Sequence, residues 1–342
     1  MIRMWLISMD SKQLFSIVFL GLFFSCHQEN HLVSKRIQGF ALGTTYSISF
    51  NTENLEETFV EHKVDSLFAV LNQSLSTYIP TSDISKINKG DSLLVVDDHF
   101  VAVYNQATEV YNTTDGFFDP TVGAWVNAYG FGPEKPIKTL TQEKKAYLSK
   151  ITGWHTIELT VDSTIKKSHL ETYLDFNALA KGYAVDVLAE YLSKLGSSNY
   201  LVEIGGEIVA FGNSPKTNLP WSIAIDDPKQ QNERKMIQRL SINNEAIATS
   251  GNYRKFRVDV ETGERYVHSI NPLTGIPIKS NVLSASVRAA DCMTADAYAT
   301  ALMVLPLETS MELIKKLTDV EAYWITASND SIQEYFSDGW KK

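Results

Sequence analysis

The chain has 342 residues, of which 44% are hydrophobic and 21% are charged, so it is long enough to bury a full core as one large domain or two small ones. Its 31 Lys and Arg residues against 40 Asp and Glu residues leave a net charge of −9 at pH 7. This acidic balance argues against the basic face that a nucleic-acid backbone requires, so we expect no nucleic-acid partner.

The N-terminus is typical of an export signal. Two basic residues precede an apolar run from Leu14 to Phe24, which is shorter than the roughly 20 residues that a helix needs to span a bilayer. The run ends in "LFFSC", which resembles a bacterial lipobox. We therefore predict a signal peptide over 1–25, and a lipidated Cys26 with a polar tether over 26–35. A short signal anchor or an ordinary signal peptide are the alternatives.

The first half of the remaining chain mixes strand and helix patterns. Residues 36–50 alternate like paired strands around a turn at Gly43, and residues 54–75 follow helical spacing behind a capping box of Asn54 and Glu57. A second helix is predicted over about 98–114. The Gly-rich aromatic segment "GFFDPTVGAWVNAYGFGP" is predicted to be loop rather than a regular element.

The second half carries the clearest helix, predicted over 178–195 and closed by Gly196, and two further helices over 293–305 and near 308–318. Strands are predicted at about 200–204, 207–211, 221–226, 246–249, 264–270, 282–289, 320–327 and 331–336. This order is not a regular βαβ alternation. It predicts an α+β fold, with helices packed on a mainly antiparallel sheet in a single catalytic domain over 36–342.

The stretch "TADAYAT" places Asp296 and Thr300 four residues apart on the predicted 293–305 helix, and therefore on one face. Two interpretations are open for this pair. Thr300 could bond back to the carbonyl of Asp296 while the carboxylate is solvated, or both side chains could hold a ligand.

Two other segments allow a functional and a purely structural interpretation. Gly205 and Gly206 end an apolar strand, either to let the backbone approach a ligand or to make a tight hairpin turn. Asp175 lies at the start of the 178–195 helix with Lys181 in its first turns, which could form an anion site or a plain helix cap.

Three side chains in other segments are also candidates. His268 ends a predicted strand and could act as a base or a ligand, or simply be hydrogen bonded. Asp119 could contact a planar ring or shape a turn, and Tyr78 could stack on a ligand or belong to the core. The motifs G-x-G-x-x-G after a strand, Walker loop, H-E-x-x-H, C-x-x-C and G-x-S-x-G do not occur, so the sequence supports none of the chemistries that they carry.

Taken in order, eight segments resemble the FAD:protein FMN transferase family, the ApbE-type flavin transferases. They are "GTTY", "STYIPTSDISKIN", "GFFDPTVG" with the following "GFG", "DFNALAKGYAVD", "EIGGEIVAFG", "ATSGNYRKF", "YVHSINPLTGIPI" and "DCMTADAYATALMVL". They cover about residues 36–305. The resemblance implies a T-fold-related α+β fold that binds FAD without a Rossmann unit.

The resemblance also implies a set of site residues. Mg²⁺ would be bound by Asp296, Thr300 and the main-chain carbonyl of Ala178, which are hard oxygen donors of the kind this cation prefers. FAD would meet Leu42, Tyr78, Phe118, Asp119, Pro120, Asp175, Lys181 and Ile270. Leu42 replaces the Met usual in the family, and Phe176 and Asn177 replace a Leu-Gly pair.

The implied reaction is attack by a Thr (or Ser) hydroxyl of a target protein on the FMN-side phosphorus of FAD, with release of AMP. His268 is the candidate base, because an imidazole pKa lies near the working pH. The expected acceptors are flavin subunits of Na⁺-translocating NADH:quinone reductase or Rnf-type complexes, met in the bacterial periplasm by an enzyme anchored to the membrane through its lipid. The alternatives are an FAD pyrophosphatase that gives FMN and AMP, and an FAD-binding lipoprotein without chemistry.

Overall fold

A computed structural model of the chain describes residues 33–52, 56–137, 139–230, 235–252, 256–258, 265–267, 269–328 and 331–340. The predicted signal peptide, Cys26 and His268 lie outside these residues, so the predictions made for them stay predictions. No helix in the described ranges is both long and apolar enough to cross a bilayer.

The centre of the fold is an eight-stranded sheet with the order β1-β2-β5-β6-β9-β14-β15-β16. Every neighbouring pair in this order is antiparallel, which confirms the predicted sheet type. The strands are β1 (Val33–Ala41), β2 (Thr44–Thr52), β5 (Tyr200–Ile204), β6 (Glu207–Phe211), β9 (Glu245–Gly251), β14 (Val282–Ala289), β15 (Glu321–Ser328) and β16 (Ser331–Phe336).

Two tight turns of this sheet were anticipated in the sequence. Leu42 and Gly43 join β1 to β2, with φ values of 51° and 75° that lie in the left-handed region. Gly205 and Gly206 join β5 to β6, with φ values of 62° and 107°, and Ile204 pairs directly with Glu207. The hairpin interpretation of this glycine pair is therefore confirmed, because both residues need a conformation that glycine adopts at little cost.

One face of the sheet is covered by helices. The helices of the described residues are α1 (Glu57–Leu75), α2 (Asp83–Asn88), α3 (Asp98–Thr113), α4 (Gly123–Ala128), α5 (Gln142–Ile151), α6 (Ala180–Lys194), α7 (Cys292–Val304) and α8 (Leu307–Ile314). Of these, α1, α6 and α7 make the main contacts with the sheet, and α3 packs against α1 and α7. In α7, ten of the 13 residues are buried, as expected for a helix held between the sheet and other helices. Its many alanines allow this close packing, and α6 lies directly against it.

The opposite face of the sheet is covered by a separate hairpin of β7 (Trp221–Asp226) and β8 (Met236–Ile242). Its inward residues form a second apolar cluster with the sheet and with Trp340 near the C-terminus. The site described below lies on the helical side.

Some local predictions were wrong. Helix α1 begins at Glu57 with Glu56 in the cap position and no side-chain capping bond, so Glu57 is not the third residue of a capping box, and Asn54 lies outside the described residues. The Gly-rich segment predicted to be loop contains α4. The predicted 264–270 strand is split into β11 (Arg265–Val267) and β12 (Ile270–Asn271), which pair with β10 (Phe256–Val258) and β13 (Ile276–Pro277). Other elements were not predicted from the sequence. They are α2, α5, β8, and the small pair β3 (Ile157–Leu159) and β4 (Ile165–Lys167).

Candidate functional site

The site is built where α6 meets α7. Gly182 in the first turn of α6 faces α7 so closely that a Cβ there would lie 2.3 Å from the carbonyl oxygen of Cys292 and 2.8 Å from the Cβ of Asp296. The Gly182 N–H donates to Oδ2 of Asp296 at 3.0 Å. A glycine is thus required here because the two helix backbones leave no room for a side chain.

Thr300 does not follow the usual behaviour of a helical threonine. On α3 the hydroxyls of Thr108 and Thr113 donate to the carbonyls four residues earlier, at 2.8 and 2.7 Å. The Thr300 hydroxyl instead lies 3.2 Å from Oγ of Ser250 and 3.5 Å from the carbonyl oxygen of Ala178. The hydroxyl therefore turns away from its own helix, toward α6 and the sheet.

The structure places the three residues predicted to hold a metal at the contact between α7 and the segment that leads into α6. The Ala178 carbonyl oxygen lies 3.5 Å from the Thr300 hydroxyl. Asp296, one helical turn before the half-buried Thr300, is itself buried and accepts from the N–H of Gly182 in α6. Carboxylate, hydroxyl and carbonyl oxygens are hard donors that suit Mg²⁺, which is commonly held by a few protein oxygens together with substrate phosphate. Only one of these three donors is a carboxylate. Among the described residues, no three Asp, Glu, His or Cys side chains are grouped so that they could hold a metal ion.

The electrostatics of Asp296 also favour a cation. Burial raises the pKa of Asp296, while Lys181 and the Gly182 N–H act in the opposite direction. A carboxylate kept ionised in such a place needs positive charge close by. A divalent ion beside Asp296 would supply that charge.

Lys181 is held by a partner that the sequence analysis missed. Its ammonium lies 2.5 Å from Oε1 of Glu207, the first residue after the Gly205–Gly206 turn, and the Glu207 side chain is only 5% exposed. Burial raises the pKa of Glu207 in spite of Lys181, and its Oε2 is buried without a hydrogen-bond partner. The Lys181 pKa is above its ordinary value, because Asp296 and Glu207 together outweigh the opposing effect of burial. Lys181 is thus a fixed cation beside the predicted metal ligands.

A second acidic residue fixes the register of the two helices. Both carboxylate oxygens of Asp186 on α6 accept from the first backbone amides of α7, Cys292 and Met293, at 2.8 Å each. This carboxylate occupies the positive end of the α7 dipole. Cys292 itself is fully buried in the main core.

The predicted FAD residues Tyr78, Pro120 and Asp175 lie near one another. The Asp175 N–H donates to the Pro120 carbonyl at 2.8 Å, and Oδ1 of Asp175 accepts from the N–H of Asn177 at 2.8 Å. The amide of Asn177 reaches Oγ1 of Thr77, next to the exposed Tyr78, at 3.3 Å. Asp175 contributes to the raised pKa of Tyr78, after burial as the larger cause.

Asp119 has a structural role in this arrangement. Its Oδ1 accepts from the N–H and hydroxyl of Thr121 at 2.7 and 2.6 Å, and its Oδ2 accepts from the N–H of Trp154 at 3.1 Å. These bonds build the turn that joins α3 to α4, as the structural interpretation of this residue expects. The contact of Asp119 with FAD remains a prediction from the resemblance.

The other predicted FAD residues occupy separate positions. Phe118 is buried in the main core, and Leu42 is half-buried in the β1–β2 turn. Ile270 is buried in a small cluster with Trp125 of α4. No described contact ties these three side chains to Lys181.

The fold and the site define a class of protein: a single α+β domain with a cluster of hard oxygen donors and a fixed lysine, suited to a divalent cation and an anionic ligand. The sequence model of the ApbE family matches residues 42–324, and the chain belongs to that family.

Relatives of known activity agree with this assignment. The FAD:protein FMN transferase of Vibrio cholerae is 34% identical over 345 residues, covering 99% of this chain and 98% of the relative. The FAD:protein FMN transferase of Haemophilus influenzae is 34% identical over 330 residues, 93% of each chain. That of Escherichia coli K12 is 32% identical over 315 residues, covering 89% of this chain and 88% of the relative.

Solved structures confirm the fold. The flavin transferase ApbE of Vibrio cholerae superposes with a TM-score of 0.82 at 34% identity, covering 91% of this chain and 99% of that one. The apo flavinyl transferase ApbE of Pseudomonas stutzeri gives a TM-score of 0.80 at 27% identity, with 90% and 95% covered.

Proposed function

We propose that this protein is a Mg²⁺-dependent FAD:protein FMN transferase, which moves the FMN moiety of FAD onto a Thr or Ser hydroxyl of a target protein and releases AMP. The proposal is supported by two contacts at the α6–α7 junction of an ApbE-family chain: Thr300 lies against the Ala178 carbonyl, and Asp296 accepts from the residue after Lys181. The relatives reported above are FAD:protein FMN transferases.

The reaction exchanges the phosphoanhydride bond of FAD for a phosphoester bond to the acceptor. An O–P bond forms between the acceptor hydroxyl and the FMN-side phosphorus, the P–O bond to the AMP phosphate breaks, and the hydroxyl proton passes to a base. Such a transfer needs positive charge at the diphosphate and in-line placement of the attacking and leaving oxygens.

Different residues of the site would supply these requirements. Ala178, Asp296 and Thr300 would hold Mg²⁺, which when bound neutralises charge on the diphosphate. Lys181 supplies a second positive charge from the α6 side, and its ion pair with Glu207 restricts the position of the ammonium. Tyr78, with 61% of its surface exposed, offers a face on which a planar ring can stack.

His268 is the base in this proposal, on the strength of its place in "YVHSINPLTG". Its side chain would accept the hydroxyl proton near neutral pH.

The proposal also covers the setting of the enzyme. Lipidation of Cys26 would anchor the domain to the membrane on the periplasmic side, with residues 26–35 as a tether. Flavin subunits of Na⁺-translocating NADH:quinone reductase or Rnf-type complexes are the acceptors that this placement favours.

The test is to incubate the purified protein with FAD, Mg²⁺ and an acceptor subunit. Flavin fluorescence on the acceptor in a denaturing gel supports transfer. Free FMN and AMP without labelled acceptor would instead identify a pyrophosphatase, and intact FAD would identify a carrier.

Asp296→Ala tests the metal-binding part of the proposal. We expect it to abolish Mg²⁺-dependent labelling, while Asp98→Ala, which removes an exposed carboxylate in the first turn of α3, leaves labelling unchanged. Labelling by Asp296→Ala that survives chelation of Mg²⁺ would show that the metal ligands are wrongly assigned.

A further inference from the structure

We propose that Ser250 is a positioning residue for the metal site. It accepts a hydrogen bond from the Thr300 hydroxyl, and this bond directs an oxygen lone pair of Thr300 toward the cation. The inference rests on the proposed function, because it concerns the metal ligands named there. It is carried by the 3.2 Å contact between the two hydroxyl oxygens.

A hydroxyl group that binds a cation keeps its proton. A neutral threonine that binds Mg²⁺ directs a lone pair at the ion, so its proton must point elsewhere and needs an acceptor. Among the described residues, two acceptors are recorded near the Thr300 hydroxyl, the Ala178 carbonyl at 3.5 Å and Oγ of Ser250 at 3.2 Å. If the Ala178 carbonyl also binds the ion, its lone pair on that side is engaged. Ser250 is then the acceptor that remains.

The sheet holds Ser250 in place for this role. It lies on β9 opposite Ala285 of β14, and the first three residues of the same strand also pair with β6. Ala246 and Ala248 of the same strand belong to the core beneath the helices, and Ile247 belongs to the cluster on the opposite face. By alternation Ser250 faces α7, and the small residues before it let the helix approach the strand.

The neighbouring hydroxyl on β9 provides a matched control. Thr249 points to the opposite face and bonds to Oγ of Ser286 on β14 at 2.7 Å. Thr249→Val therefore removes a hydroxyl one residue away in the same strand, without touching the metal ligands.

The experiment measures metal binding apart from catalysis. Mg²⁺ alone is titrated calorimetrically into the wild type, Ser250→Ala and Thr249→Val, and the unfolding temperature of each is recorded in EDTA and in Mg²⁺. Loss of a residue that orients a metal ligand commonly weakens metal affinity by about 10–100-fold. We expect that range for Ser250→Ala, with a smaller Mg²⁺-dependent rise in its unfolding temperature. For Thr249→Val we expect an affinity within about twofold of wild type and the full Mg²⁺-dependent rise, whatever its unfolding temperature in EDTA.

Three results would each overturn the inference. Ser250→Ala could bind Mg²⁺ as tightly as the wild type, Thr249→Val could lose as much Mg²⁺ affinity as Ser250→Ala, or the wild type could bind no Mg²⁺. Flavin transfer by the wild type, assayed in the same preparation, separates this failure from failure of the proposed function. An enzyme that labels its acceptor while Ser250→Ala binds Mg²⁺ normally refutes only the role of Ser250.

Discussion

The contact of Gly182 with α7 offers a sharp test of the site. Gly182→Ala adds one methyl group at a position where the ideal Cβ lies 2.3 Å from the Cys292 carbonyl oxygen and 2.7 Å from its carbon. Both atoms belong to the backbone, so no rotamer change can relieve the overlap. The helices must separate instead.

The size of the separation follows from these distances. Restoring an ordinary contact of about 3.4 Å requires the Cys292 carbonyl to retreat by about 1 Å from its present 2.3 Å. The bond of 3.0 Å from the Gly182 N–H to Asp296 would stretch beyond hydrogen-bonding range. Overpacking of this kind costs about 1–3 kcal/mol, offset by about 1 kcal/mol because alanine favours a helix more than glycine does.

The effect on activity should exceed the effect on stability. A shift of about 1 Å at the reacting centre can cost about 100-fold in rate, and Mg²⁺ demands near-ideal geometry. We therefore expect Gly182→Ala to remain folded, to lose about 100-fold in acceptor labelling, and to require more Mg²⁺. The assay is the labelling rate across a Mg²⁺ series, with urea unfolding for stability.

Glu190→Ala serves as the control for this variant. It lies on α6 but loses only an exposed ion pair with Lys194, which contributes little to stability. Its labelling rate should equal that of the wild type. Gly182→Ala with wild-type labelling and Mg²⁺ requirement would refute the claim that close packing at this contact sets the ligand geometry.

Three further predictions concern charge, pH and backbone conformation. Glu207→Gln removes the carboxylate that pairs with Lys181, so it should lower the unfolding temperature and weaken FAD binding measured by fluorescence. Unchanged values would show that the ion pair is dispensable. Burial lowers the pKa of Lys167 to about 8, so between about pH 8 and 10.5 the unfolded chain binds more protons than the folded chain. The free energy of unfolding of the wild type should therefore rise with pH in this range relative to that of Lys167→Met. Parallel pH profiles of the two proteins in urea unfolding would contradict this. Gly275→Ala should lower the urea midpoint, because a Cβ there would lie 2.1 Å from the Trp125 ring at a φ of 66°; an unchanged midpoint would mean that the ring moves freely.

The fold was largely predictable because its local patterns are strong. The 3.6-residue spacing of apolar residues located α1, α3 and α6, and glycines at positive φ marked the turns at Gly43 and Gly205–Gly206. Short elements such as α4 and β3 escaped, because tertiary packing rather than a long periodic pattern stabilises them. The family, the metal-ligand set and Lys181 were named from motifs that matched residue by residue.

The sequence alone determined that Asp296 and Thr300 share one helix face, since that follows from the helical repeat. Only the tertiary structure decided where their bonds go: Asp296 to an amide 114 residues earlier, and Thr300 toward a carbonyl 122 residues earlier. Glu207 and Ser250 became visible for the same reason. Periodicity defines which face a side chain occupies, but its partner across the core depends on how distant helices and strands pack, which no local pattern encodes.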